Sequence, residues 1–200
     1  GFTIQAANGS FNIIDNYPDK KAVESQLSTS FKSAKLSPFV CRIPEGTYQW
    51  EDKRYELSNK FNDGSAIHGI LYNKSFNVVD QYSNEEQAAV RLKYQYKKED
   101  EGYPFNYSCE IVYILHPGNR LQIETTVRNL DVIIIPIADG WHPYFTLGGK
   151  INNYQLQFAS DTLLEFDDKL VPTGKFLYDP SFIEPNQIGD RFLDNCFQLQ

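Results

Sequence analysis

The fold class is decided by residues 107–130, YSCEIVYILHPGNRLQIETTVRNL. In both halves of this stretch, larger apolar side chains alternate with smaller or polar ones: Cys109, Ile111, Tyr113 and Leu115, then Leu121, Ile123, Thr125 and Val127. A period of two places each set on one face of a β-strand. Between the halves stands HPGN, whose proline and glycine favour a turn. The stretch therefore predicts an antiparallel hairpin.

Other segments show the same pattern. GTYQWEDKRYELS, residues 46–58, predicts a second hairpin that turns at the polar run EDKR. AAVRLKYQYKK, residues 88–98, alternates apolar and charged side chains and predicts one strand that runs into a charged loop. YQLQFA and TLLEF predict two further short strands. Hairpin-spaced strands of this kind are typical of a sandwich of antiparallel sheets.

Two segments differ from the alternating pattern. VIIIPIA, residues 132–138, is apolar on both parities and predicts a strand that is buried on both faces. PDKKAVESQLSTSF, residues 18–31, is the one stretch that suggests a helix. With 200 residues, 41% of them hydrophobic and 14% aromatic, the chain can bury a sizeable core. We therefore expect an all-β fold, a large antiparallel β-sandwich forming one domain over residues 1–200.

Charge and cysteine content limit the partners. The formal net charge of −7, without a long basic cluster, argues against a nucleic-acid partner, and no apolar run reaches the length of a membrane span. We expect a small-molecule ligand, with no nucleic acid and no membrane as partner. Cys41, Cys109 and Cys196 are odd in number and lack metal-ligand spacing, which favours a reducing compartment and predicts a cytoplasmic protein.

Motifs for nucleotide cradling, zinc proteases and serine hydrolases do not occur in the sequence. The remaining candidates are two histidines, an arginine and an acid: His68, His142, Arg42 and Asp194. Each also has a structural interpretation, such as a buried histidine, an ion pair or a turn carboxylate. The third histidine, His116, lies in the predicted turn, where a solvated role is favoured.

The order of six blocks resembles the aldose 1-epimerase, or galactose mutarotase, family. The blocks, which span about residues 36 to 197, are SPFVCRIPEGTYQWEDKRYELS, AIHGILY, EGYPF, DGWHPYFTLGG, DKLVPTGKF and FLDNCF. The resemblance implies a wide twisted sandwich that interconverts the α and β anomers of a free hexose, without a metal or cofactor. It further implies that His142 is the general acid at the ring oxygen, that His68 binds near the ring as a second catalytic residue, and that Arg42 and Asp194 bind sugar hydroxyls.

The sequence also departs from the family. The family's base is a glutamate well beyond the LDNCF block, Glu184 is no match for it, and fewer strands precede the SPF block than is usual. We therefore expect a fragment of a longer chain, incomplete at both ends. A carbohydrate-binding module without turnover and a hexose-6-phosphate epimerase remain alternatives. The second would need basic residues at the phosphate, for which Lys53, Arg54 and Lys60 are available.

Overall fold

The computed structural model describes residues 1–7 and 9–200. Strands make up 44% of the chain and helices 9%, so the all-β prediction is confirmed. Every pair of neighbouring strands in the described residues is antiparallel. The chain divides into two compact units, Gly1–Phe145 and Thr146–Gln200.

The first unit holds twelve strands among its described residues. They are β1 (Phe2–Ala6), β2 (Gly9–Ile14), β3 (Ala34–Leu36), β4 (Arg42–Ile43), β5 (Thr47–Trp50), β6 (Lys53–Glu56), β7 (Ala66–Ile67), β8 (Asn77–Ser83), β9 (Ala88–Lys97), β10 (Asn106–His116), β11 (Arg120–Asn129) and β12 (Gly140–His142). A single-turn 3-10 helix spans Pro44–Gly46, and the helix α1 spans Lys20–Ser30. The predicted helix is therefore confirmed.

The largest sheet has the order β11-β10-β9-β8. The β10–β11 hairpin pairs Tyr113 with Ile123 and Leu115 with Leu121, which confirms the predicted antiparallel hairpin. The β5–β6 hairpin is also confirmed, with Tyr48 opposite Tyr55. Its turn is shorter than predicted, because the last two residues of EDKR belong to β6.

One hydrophobic core lies against this sheet. Tyr96, Tyr107 and Cys109 are completely buried in it, and the ring of Tyr103 packs on both tyrosines with centroids 5.7 and 5.9 Å away. The Tyr96 hydroxyl donates to the Tyr103 carbonyl at 3.1 Å, so its polar tip is satisfied inside the core. A smaller core cluster holds Phe31, Ala34 and Leu36.

The predicted strand at VIIIPIA is wrong. Val132 is fully exposed, Ile133 and Ile134 are more than half exposed, and no strand forms between Leu130 and Asp139. The local polar groups instead hold a loop: the Asn129 side chain donates to the Ile133 carbonyl at 2.7 Å. An apolar run lacks a period that could distinguish a strand from another conformation, which is why the pattern misled.

The second unit contains five short strands and a 3-10 turn at Ile151–Asn153. The strands are β13 (Gln155–Leu156), β14 (Thr162–Phe166), β15 (Pro172–Tyr178), β16 (Asn186–Gln187) and β17 (Cys196–Phe197). β14 lies between β15 and β17, and β13 pairs with β16. The strand predicted in TLLEF is thus confirmed, whereas YQLQFA is a strand over two residues only. No helix in the described part of either unit is long and apolar enough to cross a bilayer.

Candidate active site

The strand β12 places His142. It pairs with β3, so that Ala34 lies opposite His142 and Lys35 opposite Trp141. The Ser33 N–H also donates to the His142 carbonyl at 2.9 Å, which extends the contact beyond the strand. Because side chains alternate along a strand, Trp141 and His142 point to opposite faces. Trp141 packs against the main core, and His142 faces the smaller cluster.

His68 is held by a close approach of two backbones. Its N–H donates to the Cys41 carbonyl at 2.9 Å, and its φ of 63° lies in the left-handed region. The next residue, Gly69, bridges Ser37, and a Cβ at Gly69 would lie 2.3 Å from the Ser37 carbonyl oxygen. Only glycine fits at this position. The AIHG sequence therefore fixes His68 against the start of β4.

The two histidines form a pair. Their ring centroids are 5.0 Å apart at an interplanar angle of 72°, an edge-to-face arrangement. In each ring Nδ1 is buried and has no hydrogen-bond partner among the described residues. Nε2 is not among these buried atoms, so it is the nitrogen that each ring can offer to a ligand. Tyr144 stacks on His142 with centroids 5.3 Å apart and forms a wall of the site.

Burial keeps His68 uncharged. Desolvation, together with the charges of His142 and Arg42, lowers its pKa from 6.5 to about 4. At neutral pH His68 is therefore a neutral imidazole, which can donate one hydrogen bond and accept another. It is not available as an imidazolium acid.

Arg42 lies beside this pair, in β4 opposite Ile67. Its Nη1 donates to the Asp63 carboxylate and to the Ser65 hydroxyl, the latter at 2.7 Å. The structural ion pair that the sequence left open is thus present. Both bonds use the same nitrogen, so among the described residues Nη2 and Nε are left for another acceptor. Arg42 can hold Asp63 and a ligand hydroxyl at the same time.

A buried ion pair supports β12 and was missed by the sequence analysis. The Lys35 side chain is 4% exposed, forms a salt bridge with Asp139 and donates to the Gly140 carbonyl at 3.1 Å. Its ammonium also lies 4.9 Å from the centre of the Trp141 ring. The lysine therefore holds the DGWH segment from the face opposite His142. In the sequence, Lys35 stands among the small and apolar residues of AKLS, residues 34–37, and nothing in this pattern indicated the role.

Two further candidates from the sequence, Asp194 and His116, are described by their own surroundings. Asp194 is exposed in the second unit, in an irregular segment before β17. His116 is the last residue of β10, pairs with Arg120 and is half-buried, so its predicted place in the turn is wrong; its ring hydrogen-bonds the Gln122 side chain at 3.1 Å. Cys41, Cys109 and Cys196 are all free, and the described residues contain no cluster suited to a metal ion.

The sequence matches the aldose 1-epimerase family over residues 6–200, and the chain belongs to this family. It is 25% identical over 168 residues to the uncharacterized protein YihR of Escherichia coli, and the match covers 82% of this chain and 53% of YihR. It is 27% identical over 139 residues to human galactose mutarotase, and the match covers 67% of this chain and 39% of that protein. The chain thus spans about half the length of YihR and about two fifths of the human protein.

A solved structure supports the fold. The aldose epimerase homologue from C. elegans matches with a TM-score of 0.78 at 20% identity, over 99% of this chain and 64% of that one. The fold is therefore the galactose mutarotase-like antiparallel β-sandwich that the resemblance implied. This likeness concerns the fold, and the chemistry depends on the residues described above.

Proposed function

We propose that the protein containing this chain is an aldose 1-epimerase that interconverts the α and β anomers of a free hexose such as galactose or glucose. The observation that carries this proposal is the His68–His142 pair, whose rings lie 5.0 Å apart beside Arg42. Mutarotation needs a proton donor at the ring oxygen and hydrogen bonds that hold the sugar hydroxyls. The pair and the guanidinium offer both kinds of group within one site.

In the proposed reaction, a base removes the proton of the anomeric hydroxyl while His142 protonates the ring oxygen. The bond between C1 and the ring oxygen breaks, and the open aldehyde forms. Rotation about the C1–C2 bond followed by reclosure gives either anomer, and the protons return to their donors. Because His68 is neutral at pH 7, its proposed role is to hydrogen-bond the substrate, and the acid role is left to His142.

Arg42 and Asp194 are the proposed hydroxyl-binding residues. A guanidinium presents several donors in a fixed plane, which suits neighbouring hydroxyl oxygens. A carboxylate accepts from hydroxyl groups, so Asp194 complements the arginine in chemistry. A phosphorylated hexose is less favoured, because Lys60 pairs with Glu56 and Arg54 bonds Thr47 within its own hairpin.

One observation favours a second candidate, a sugar-binding module without turnover. The aromatic wall that Tyr144 forms on His142 and the remaining donors of Arg42 would bind a sugar equally well without a base at the anomeric hydroxyl. Such a module would bind galactose and leave the anomer ratio to spontaneous exchange. The two candidates therefore differ in rate and not in affinity.

Polarimetry of freshly dissolved α-galactose tests the proposal with the protein that contains these residues. We expect the rotation to decay faster than in buffer, and the His142→Ala variant to lose about 100-fold or more of this acceleration. His116→Ala, the same change at the histidine that ends β10, should retain it. Tyr113→Ala, which removes a packed core ring, should instead lower the melting temperature. Galactose binding without acceleration would establish the binding module, and wild-type rates in His142→Ala would refute the mechanism.

A further inference from the structure

The end of helix α1 has an unusual residue in an unusual conformation. Phe31, the C-cap, has a φ of 52° and lies in the left-handed region that glycine normally occupies at a helix end. Its N–H donates to the Leu27 carbonyl at 2.8 Å, and its own carbonyl accepts from the Ala34 N–H at 3.0 Å. Glycine could make the same backbone bonds at lower conformational cost. The phenyl ring therefore needs another explanation.

The ring lies against both histidines of the site. Phe31 is only 7% exposed, and its ring centroid is 4.6 Å from that of His68 in an edge-to-face contact. It is 6.3 Å from the ring of His142. Tyr72 and Phe61 surround it on its other sides at 5.2 and 5.9 Å. A single apolar ring thus contacts the imidazoles that β7 and β12 bring together.

We propose that Phe31 is a positioning residue of the histidine pair: its ring sets the edge-to-face arrangement of His68 and His142 and keeps water from the buried edges of both imidazoles. This role rests on the proposed function, because the arrangement matters to catalysis only if the pair is catalytic. The effect on the imidazoles rests on the contacts alone. Phe31 acts through the histidines and does not itself exchange a proton.

The physical consequence is a change in how His68 titrates. The ionisable neighbours on the elements that pack around the pair are few: His142 on β12, Arg42 on β4 with its partner Asp63, Cys41, and the phenols of Tyr72 and Tyr144. Phe31 contributes no charge, so it affects His68 only by desolvation and packing. Its removal would admit water to the ring and raise the pKa of His68 from about 4 toward the ordinary 6.5.

The test is an NMR titration of the imidazole protons in the protein, where this chain contributes only three histidines. The signals are assigned with His68→Gln, His116→Gln and His142→Gln. Phe31→Gly removes the ring and suits the left-handed backbone, and Phe31→Leu keeps an apolar side chain. Phe61→Leu is the matched control, because Phe61 packs on Phe31 without a ring contact to His68.

We expect the midpoint of His68 to rise by about one pH unit or more in Phe31→Gly, to rise less in Phe31→Leu, and to stay in place in Phe61→Leu. If a folded Phe31→Gly or Phe31→Leu protein kept the wild-type midpoint of His68, the proposal would be overturned. If Phe31→Gly does not fold, Phe31→Leu decides.

Activity separates this proposal from the proposed function. In a protein with mutarotase activity, the acid limb of the pH–rate profile should move upward in Phe31→Leu with the midpoint of His68, and stay unmoved in Phe61→Leu. A protein without activity would refute the epimerase function and leave the titration unaffected. An unmoved midpoint in an active protein would refute the role of Phe31 alone.

Discussion

At His68, burial and the charges of its neighbours act in the same direction. Both disfavour the imidazolium, so the pKa in the folded protein, about 4, lies below the ordinary value of 6.5 that the unfolded chain has. The unfolded state therefore binds this proton first as the pH falls. The contribution of His68 to stability is complete above about pH 6.5 and is lost as the pH falls toward 4.

We expect this linkage to appear in urea unfolding. The midpoint for the wild-type protein should decrease between pH 7 and pH 5, and the decrease should be smaller in His68→Gln, which has no proton to take up. His116→Gln, at the histidine that ends β10 outside the pair, should follow the wild type. Equal pH dependence in the wild type and His68→Gln would show that His68 titrates normally in the folded protein.

The roles of single residues were the hardest feature to predict from the sequence. AIHG and HPYF drew attention to His68 and His142, because histidine is rare in this chain and chemically distinctive. Phe31 and Lys35 stood in ordinary surroundings, and their roles depend on contacts with residues more than 30 positions away. Such contacts leave no local periodicity.

At the scale of elements, β12 depends on the buried Lys35–Asp139 pair. Asp139→Asn would leave the Lys35 ammonium buried without its counter-charge. Removing one partner of a buried pair costs about 3–5 kcal/mol, and the 30% exposure of Asp139 places the expected loss at the lower end of that range. Under the proposed function the mutarotation rate should fall as well, since β12 carries His142.

Chemical unfolding of matched variants measures this effect. Glu110→Gln breaks the ion pair between β9 and β10, in which Arg91 is 45% exposed, and should cost about 0–1 kcal/mol. If Asp139→Asn cost no more than Glu110→Gln, the pair would not support β12. Lys35→Met in the Asp139→Asn background should recover part of the loss, because it removes the unpaired charge.

The hairpins were predictable and the VIIIPIA segment was not, for one physical reason. In β10–β11 the alternation, the turn residues and the pairing are all local, and each favours the same register. In VIIIPIA every position is apolar. Such a run indicates that burial would be favourable, but it does not indicate a conformation or the surface on which the residues pack. The conformation there follows from Asn129 and Asp131, whose side chains bind nearby backbone.

At the scale of the whole molecule, that segment leaves an apolar patch, which we define as Leu130, Val132, Ile133 and Ile134. These side chains are 42%, 105%, 55% and 74% exposed. Four exposed apolar side chains within five positions of the chain are typical of a surface that binds a partner or causes association. The net charge of −7 opposes association over long range, but salt screens it.

We therefore expect the 200-residue chain on its own to self-associate, and more strongly at high salt. Its apparent mass in sedimentation should rise with concentration, and Ile134→Lys should reduce that rise by placing a charge within the patch. Gln95→Lys is the matched control, because it adds the same charge at an exposed position of β9, outside the patch. If both variants reduced association equally, net charge and not the patch would be its cause. If only Ile134→Lys did so, the exposed isoleucines would be the contact.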